Sequence, residues 1–234
     1  MLFRSCIPTL STLTDRVRNP RKAPSDAEGL FIVSQPNTPD MPPIPGASAE
    51  AELIQSRVKG KISRVLCLEG KEVTIERALE EIQSHSCVHL ACHAIQADDG
   101  SSSAFYLEDG ELDLLEIIKK DIKIADFAFL SACQTSMGSD FFSEEAIHLA
   151  AGMLAAGYRG VVATMWSIKD KYGPVVADYF YEHLLGCEKR PQGKVVGSEG
   201  AACALHHAII KLRGELDDSE ASFLTWVPYV HLGL

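Results

Sequence analysis

The sequence predicts an α/β fold with a mostly parallel central sheet and helices on both faces. Short apolar runs alternate with helical patterns along most of the chain. Alternation of this kind is typical of strands joined by helical crossovers, which place parallel strands side by side and cover both faces of the sheet. The chain has 234 residues and shows no internal repeat, so one domain with a sizeable core is expected.

Seven segments are predicted as strands because each is short, apolar and bounded by polar or turn residues. In chain order they are Leu30–Val33, Val65–Leu68, Cys87–Ala91, Ala104–Leu107, Phe127–Leu130, Gly160–Met165 and Trp226–Leu232. The last one is predicted to lie at a sheet edge, because Pro228 cannot donate a ladder hydrogen bond.

Helices are predicted between these strands. The predicted helices are a segment begun by Ser48 and extending to Val58, a segment capped by Thr74 and extending to Ile82, Leu112–Ile118, Ala146–Ala156, Val175–Leu185 and Ala201–Arg213. Ser48 is the expected N-cap of the first helix, and Glu50 is expected in its first turn, where a carboxylate suits the helix dipole. The five prolines between Gln35 and Gly46 predict an extended loop.

Residues 1–28 are polar, basic and proline-containing, so we predict a linker or disordered leader there and a domain over residues 29–234. The net charge of −10 argues against nucleic acid or an anionic membrane as the main partner. Seven cysteines without disulfide-framework spacing indicate a reducing compartment, so we expect a cytoplasmic protein. No glycine-rich phosphate loop follows the first strand, and no cofactor is predicted.

A histidine and a cysteine stand at the ends of two predicted strands. His93 follows Val88–Cys92, and Cys133 closes the strand that contains Phe127–Leu130. In parallel sheets, binding and catalytic residues lie at the carboxyl ends of the strands. If the two strands are neighbours, His93 and Cys133 lie close together there. A nearby imidazolium lowers the pKa of a thiol, and the thiolate is a nucleophile. Each residue by itself also fits a purely structural role, as a buried cysteine or a hydrogen-bonded histidine.

Other chemistry-bearing residues have simpler interpretations. His89 lies in the middle of a covered strand and is expected to be a buried, hydrogen-bonded residue. A metal site formed by His89, Cys92 and His93 is disfavoured, because adjacent residues on a strand point to opposite faces. The pair His206–His207 is expected on a partly exposed helical face.

Taken together, ordered motifs along residues 29–234 resemble the CHAT domain, the caspase- and separase-like cysteine peptidase module associated with tetratricopeptide repeats. The motifs are Leu30–Gln35, Pro42–Gly46 followed by Glu50, His89–His93, Leu130–Thr135, Ala151–Gly157, Val162–Asp170 and Trp226–Val230. The last of them resembles fungal versions that end large repeat proteins with nucleotide-binding switch domains. The resemblance implies a caspase-like three-layer sandwich.

The resemblance also implies roles for individual residues. Cys133 would be the nucleophile and His93 its base or thiolate partner, and the backbone N–H groups of Ala94 and Cys133 would bind the oxyanion. The family usually has glycine after the histidine, whereas this chain has Ala94, which restricts φ and adds a methyl group.

These implications predict a cysteine endopeptidase that cleaves a protein substrate. The chain would be the effector domain of a larger signalling or immune-type protein with upstream repeat and nucleotide-binding switch domains. The alternative is a catalytically inactive interaction module with the same fold, which Ala94 favours. Ser131 and Asp170 are candidate pocket residues. An acidic Asp170 would favour a basic P1 residue, but the same residue also fits a helix N-cap.

Overall fold

A computed structural model describes residues 29–95, 103–131, 133–134, 146–186 and 197–233. The predicted leader, residues 1–28, lies outside the described residues. Ten strands are described. They are β1 (Leu30–Ser34), β2 (Val65–Glu69), β3 (Cys87–Ala91), β4 (His93–Ile95), β5 (Ala104–Leu107), β6 (Gly110–Asp113), β7 (Phe127–Leu130), β8 (Cys133–Gln134), β9 (Gly160–Thr164) and β10 (Tyr229–Gly233).

The described α-helices fall between these strands. They are α1 (Gly46–Val58), α2 (Ile75–Ser84), α3 (Leu114–Lys119), α4 (Ala146–Ala155), α5 (Gly173–Gly186), α6 (Ala201–Glu215) and α7 (Glu220–Trp226). None of these helices is both long enough and apolar enough to cross a bilayer.

Six strands form the central sheet in the order β10-β9-β7-β3-β1-β2. All neighbours are parallel except β10, which is antiparallel to β9 at the edge of the sheet. Side chains alternate between the faces, as the two-residue period of a strand requires. Leu30 and Ile32 pack under α1, α5 and α6, whereas Phe31 and Val33 pack on the side of α2, α3 and α4. The predicted fold, a mostly parallel sheet between two helical layers, is confirmed.

A second, four-stranded sheet in the order β6-β5-β4-β8 was not foreseen as a sheet. It begins where the chain bends at Cys92, so that β3 ends in the central sheet and β4 starts in the small one. Strand β4 is antiparallel to β5 and parallel to β8. The chain therefore enters the small sheet directly after β3, as β4, and shortly after β7, as β8.

The predicted helix Leu112–Ile118 begins later than expected. Residues 110–113 pair with β5 as strand β6, and the helix starts at Leu114. The Asp113 side chain accepts a hydrogen bond from the Leu115 N–H at 2.8 Å, so Asp113 is the N-cap. Leu112 is apolar because it faces the core from strand β6. The helical spacing of apolar residues did not distinguish this strand residue from those of the helix that follows.

Two further boundaries differ from expectation, and one cap is confirmed. Helix α1 begins at Gly46, so the prediction of Ser48 as its N-cap is wrong, and the Ser48 hydroxyl donates to Glu69 instead. Thr74 is the N-cap of α2, as predicted. Trp226 ends helix α7 rather than starting a strand, and β10 begins at Tyr229, directly after Pro228.

Candidate active site

The candidate site lies where β3 and β7 leave the central sheet. Beyond these strand ends, β4 and β8 form a short parallel pair in which His93 is the register partner of Cys133 and Ala94 is the partner of Gln134. For Cys133 and Gln134 the description covers the backbone. Neighbouring strands lie about 4.8 Å apart in the hydrogen-bonding direction. The fold thus brings the backbones of the predicted histidine and cysteine side by side.

His93 is held by a backbone carbonyl. Its side chain is buried, with 2% of the residue exposed, and Nε2 donates a hydrogen bond to the Pro42 carbonyl oxygen at 2.8 Å. Because a carbonyl can only accept, Nε2 carries the proton and Nδ1 bears the lone pair of the neutral ring. Nδ1 has no hydrogen-bond partner among the described residues. A general base needs a proton-accepting atom held in a fixed position, and Nδ1 of this imidazole meets that requirement.

The loop that carries Pro42 is fixed by its own hydrogen bonds. The N–H of Ile44 donates to the carbonyl of Pro36, and that of Met41 donates to Thr38. Gln35, at the end of β1, donates from Nε2 to the carbonyl of Asn37. The sequence predicts an extended loop here but not that Pro42 accepts the hydrogen bond from His93. Every residue has a backbone carbonyl, so the residue type does not show which carbonyl will act as the acceptor.

Ala94 fits its position without strain. It lies in β4, is fully buried, and belongs to the same core cluster as its partner Phe105. An extended strand backbone suits any L-residue, so nothing at this point requires the positive φ that glycine allows. The methyl group that replaces the usual glycine hydrogen is accommodated by apolar packing. The methyl group therefore gives no steric reason to regard the site as inactive.

Ser131 belongs to a buried polar network beneath the site. Its hydroxyl donates to Glu50 Oε2 at 2.8 Å, and the other carboxylate oxygen lies 2.8 Å from His89 Nε2. His89 Nδ1 lies 3.3 Å from the Tyr181 hydroxyl, and its ring stacks on Phe129. This set of Glu50, His89, Ser131 and Tyr181 is called the Glu50 network below. The expectation that His89 is buried and hydrogen-bonded is confirmed.

The Glu50 network ties together elements that surround the site. Glu50 is on α1, His89 on β3 and Tyr181 on α5, and Ser131 follows β7. Burial raises the pKa of Tyr181 well above its ordinary value, so its hydroxyl keeps the proton that it can donate to His89. Helix α1 begins at Gly46, so the prediction that Glu50 lies in its first turn is wrong, and the side chain is buried with 2% of the residue exposed. A sequence pattern does not show that a helical glutamate faces inward unless its partners are known.

Asp170 lies at the start of α1 in space, although it is 124 residues away in sequence. Its Oδ2 accepts a hydrogen bond from the Gly46 N–H at 2.7 Å. A Cβ added to Gly46 would come within 2.5 Å of the Asp170 carboxylate, so this close approach requires glycine. Of the two interpretations of Asp170, the contact therefore supports capping, but of a helix distant in sequence. Both candidate pocket residues thus have their side chains hydrogen-bonded to α1.

The fold and this site define a caspase-like architecture. Residues 4–234 match the CHAT domain family, and the chain belongs to that family. No curated protein sequence is significantly similar to it.

Solved structures share the fold at low sequence identity. The Arg-specific cysteine proteinase gingipain R (RgpB) is 16% identical with a TM-score of 0.57, and the match covers 96% of this chain and 51% of that one. The separase of the Saccharomyces cerevisiae separase–securin complex is 16% identical with a TM-score of 0.60, and the match covers 98% of this chain and 14% of that one. The chain therefore spans about half of the gingipain chain and about a seventh of the separase chain.

Proposed function

We propose that the chain is a cysteine endopeptidase in which Cys133 is the nucleophile and His93 the base. The observation that carries the proposal is the pairing of His93 with Cys133 in β4 and β8, together with the hydrogen bond from His93 Nε2 to Pro42. A buried imidazole with one nitrogen fixed and the other unoccupied among the described residues is prepared to exchange a proton with a neighbouring thiol.

The reaction would proceed through a covalent thioester. His93 Nδ1 takes the thiol proton, and the thiolate of Cys133 attacks the peptide carbonyl carbon. The backbone N–H groups of Ala94 and Cys133 would stabilise the resulting oxyanion, and one such donor contributes roughly 2.7–4 kcal/mol. His93 then returns the proton to the leaving amine as the C–N bond breaks. Water, deprotonated by the same imidazole, hydrolyses the thioester and restores the thiol.

The carbonyl of Pro42 supports this sequence of proton transfers. It fixes the tautomer that leaves Nδ1 unprotonated in the neutral ring. When His93 becomes an imidazolium, the same carbonyl still accepts from Nε2–H, now in a charge-assisted hydrogen bond. The positive charge is thus stabilised at the moment when the thiolate forms.

Specificity and context complete the proposal. The substrate is a protein, and the chain acts as the effector domain of a longer signalling or immune-type protein with upstream repeat and switch domains. The caspase-like architecture supports the peptidase class, and the family resemblance suggests the larger context. Because the Asp170 carboxylate caps α1, its contact gives no support to selection of a basic P1 residue.

An activity-based thiol probe tests the proposal most directly. We expect a peptidyl electrophile to label Cys133 selectively, and labelling to be lost in His93→Ala, because the thiolate depends on the imidazole. The other six cysteines of the chain provide the internal reference for ordinary reactivity. Labelling of Cys133 no faster than that of these cysteines would instead support the inactive interaction module.

Cleavage profiling then tests the reaction itself. Wild type and Cys133→Ala are incubated side by side with a proteome-derived peptide library, and new termini are identified by mass spectrometry. We expect cleavage by the wild type and a decrease of about 10⁴-fold or more in the variant. Equal cleavage by both proteins would contradict the assignment of Cys133 as nucleophile.

A further inference from the structure

A cluster of metal-ligating side chains lies outside the candidate active site, between helices α5 and α6. His183 is near the end of α5, Cys203 is near the start of α6, and His207 is one turn further along α6. One ligand atom from each of these three residues lies within 4.8 Å of the other two. Cys203 and His207 are four residues apart on one helix and therefore share a face, which α6 turns toward His183.

The distances within the cluster are close to those of a tetrahedral metal centre. Cys203 Sγ lies 3.7 Å from His183 Nε2. Zn–S and Zn–N bonds of about 2.3 Å and 2.0–2.1 Å at a tetrahedral angle place sulfur and nitrogen roughly 3.5 Å apart. The His183 and His207 rings are stacked with their centroids 3.8 Å apart, so the two side chains must rotate apart before a nitrogen of each can point at a shared ion.

The cluster lies at the protein surface, where an ion can reach it. His183 is half-buried, and Cys203 and His207 are exposed. The nearby carboxylate of Glu182 is already paired with Arg57 and Lys211, so the donor set is two imidazoles and one thiolate. An open groove lined in part by His183, His207 and Gly186 gives solvent access to a fourth position.

We propose that His183, Cys203 and His207 form a binding site for Zn²⁺, with water as the fourth ligand. Nitrogen and thiolate donors select zinc-like ions over Mg²⁺ or Ca²⁺, which prefer oxygen. The ion would join the end of α5 to the start of α6. Tyr181, in the same helix as His183, contributes to the Glu50 network, so the metal would stabilise the layer that supports the candidate active site.

No sequence pattern marks this site. The pair His206–His207 was predicted on a partly exposed helical face, and His206 is indeed half-buried and His207 exposed. The cluster forms only when α5 packs against α6, which brings His183 to within reach of Cys203. A histidine and a cysteine 20 residues apart on different helices have no spacing motif of their own.

The test uses the Cys133→Ala chain, so that the thiol of the candidate active site cannot bind metal. Co²⁺ serves as a spectroscopic probe and is then displaced by Zn²⁺ in a competition titration. We expect one equivalent to bind with a thiolate-to-cobalt charge-transfer band. Cys203→Ser and His207→Ala in that background should each weaken binding by at least about 100-fold. Zn²⁺ at 100 times its dissociation constant should raise the Tm of the parent by roughly 5–10 °C, reversibly with a chelator.

The matched control is His206→Ala, which removes the histidine adjacent to His207 and leaves the cluster intact. We expect this variant to retain the cobalt band and the affinity of the parent. A Co²⁺ complex without a charge-transfer band, or Cys203→Ser with parental affinity, would overturn the proposal. Loss of binding in His206→Ala equal to that in His207→Ala would do the same. None of these outcomes depends on peptidase activity, so they are independent of the proposed function.

Discussion

Two histidines four residues apart, His89 and His93, have nearly the same burial but different surroundings. His89 is fully buried and His93 is 2% exposed. His89 has a partner for each ring nitrogen, Glu50 for Nε2 and Tyr181 for Nδ1. His93 has Pro42 for Nε2, and Nδ1 has no partner among the described residues.

The difference shows that burial alone does not tell whether both ring nitrogens of a histidine have hydrogen-bond partners. Both rings have been removed from water, and each was positioned by the fold. What differs is whether hydrogen-bonding capacity is left for a substrate or a neighbouring thiol. The two ring nitrogens of His89 connect β3 to α1 and α5, whereas Nδ1 of His93 has no hydrogen-bond partner among the described residues.

The largest effect that tests this comparison is expected from His93→Gln. A glutamine amide can still donate to the Pro42 carbonyl, but it cannot take a proton. We expect kcat/KM for peptide cleavage to fall by about 10³-fold or more while the Tm stays close to that of the wild type. Steady-state kinetics and thermal melting measure the two quantities. A variant that unfolds before it loses activity would show that His93 is a structural residue like His89.

A large stability effect is expected from Glu50→Ala. The substitution leaves the buried side chains of His89 and Ser131 without their shared acceptor, and each unsatisfied donor costs about 1–3 kcal/mol, so the expected loss is about 2–6 kcal/mol. Urea denaturation measures the loss. Ser131→Ala is the milder counterpart, because it removes one donor and should cost about 1–2 kcal/mol. If Glu50→Ala unfolds at the wild-type urea midpoint, the Glu50 network does not stabilise the fold.

A third buried histidine, His231 in β10, provides a pH-dependent comparison. Burial lowers the pKa of His231 to about 4, against 6.5 for a free histidine. The unfolded chain therefore binds more protons between these values, so stability is present above pH 6.5 and is lost as the pH falls toward 4. The contribution of this residue is roughly 3 kcal/mol. Urea midpoints at pH 7 and pH 4.5 should differ less in His231→Gln than in the wild type, and an unchanged difference would exclude His231 as the cause.

The smallest effect is expected from Asp170→Ala, which tests whether the residue is a cap or part of a specificity pocket. Loss of the hydrogen bond from Gly46 should cost about 1 kcal/mol of stability. Asp170→Asn retains an acceptor and should cost less. In both variants we expect the ratio of turnover between Arg and Asp P1 substrates to remain that of the wild type. A shift of this ratio in Asp170→Asn would show that the carboxylate also contacts the substrate.

The central sheet could be predicted from the sequence because its strands are short runs of apolar residues, and such runs predict buried strands. Leu30–Ser34 and Phe127–Leu130 are examples, and both are strands with every residue buried. The small sheet could not be predicted, since β4 and β8 have only three and two residues. Such short segments have no period, and their pairing depends on where the longer strands end.

The adjacency of His93 and Cys133 could be predicted from the sequence, because both residues stand at strand ends, and the structure pairs them in register. Their roles in catalysis stay a prediction, and the residues around them could not be predicted. The Pro42 carbonyl and the inward-facing Glu50 were not predicted, because one is a backbone atom and the other resembles an ordinary helical glutamate. Both depend on contacts between residues far apart in sequence, which no local pattern encodes.

The wide sequence separation within the Glu50 network has a consequence for folding. Glu50 contacts residues 39 and 81 positions further along the chain, and His89 contacts Tyr181 over 92 positions. Contacts of such high sequence separation form slowly, because a long loop must close before the contact stabilises it. A partly synthesised chain that lacks α5 therefore cannot complete the supports of the His93–Cys133 pair. Under the proposed function, we therefore expect a nascent chain to show no peptidase activity until α5 has been made.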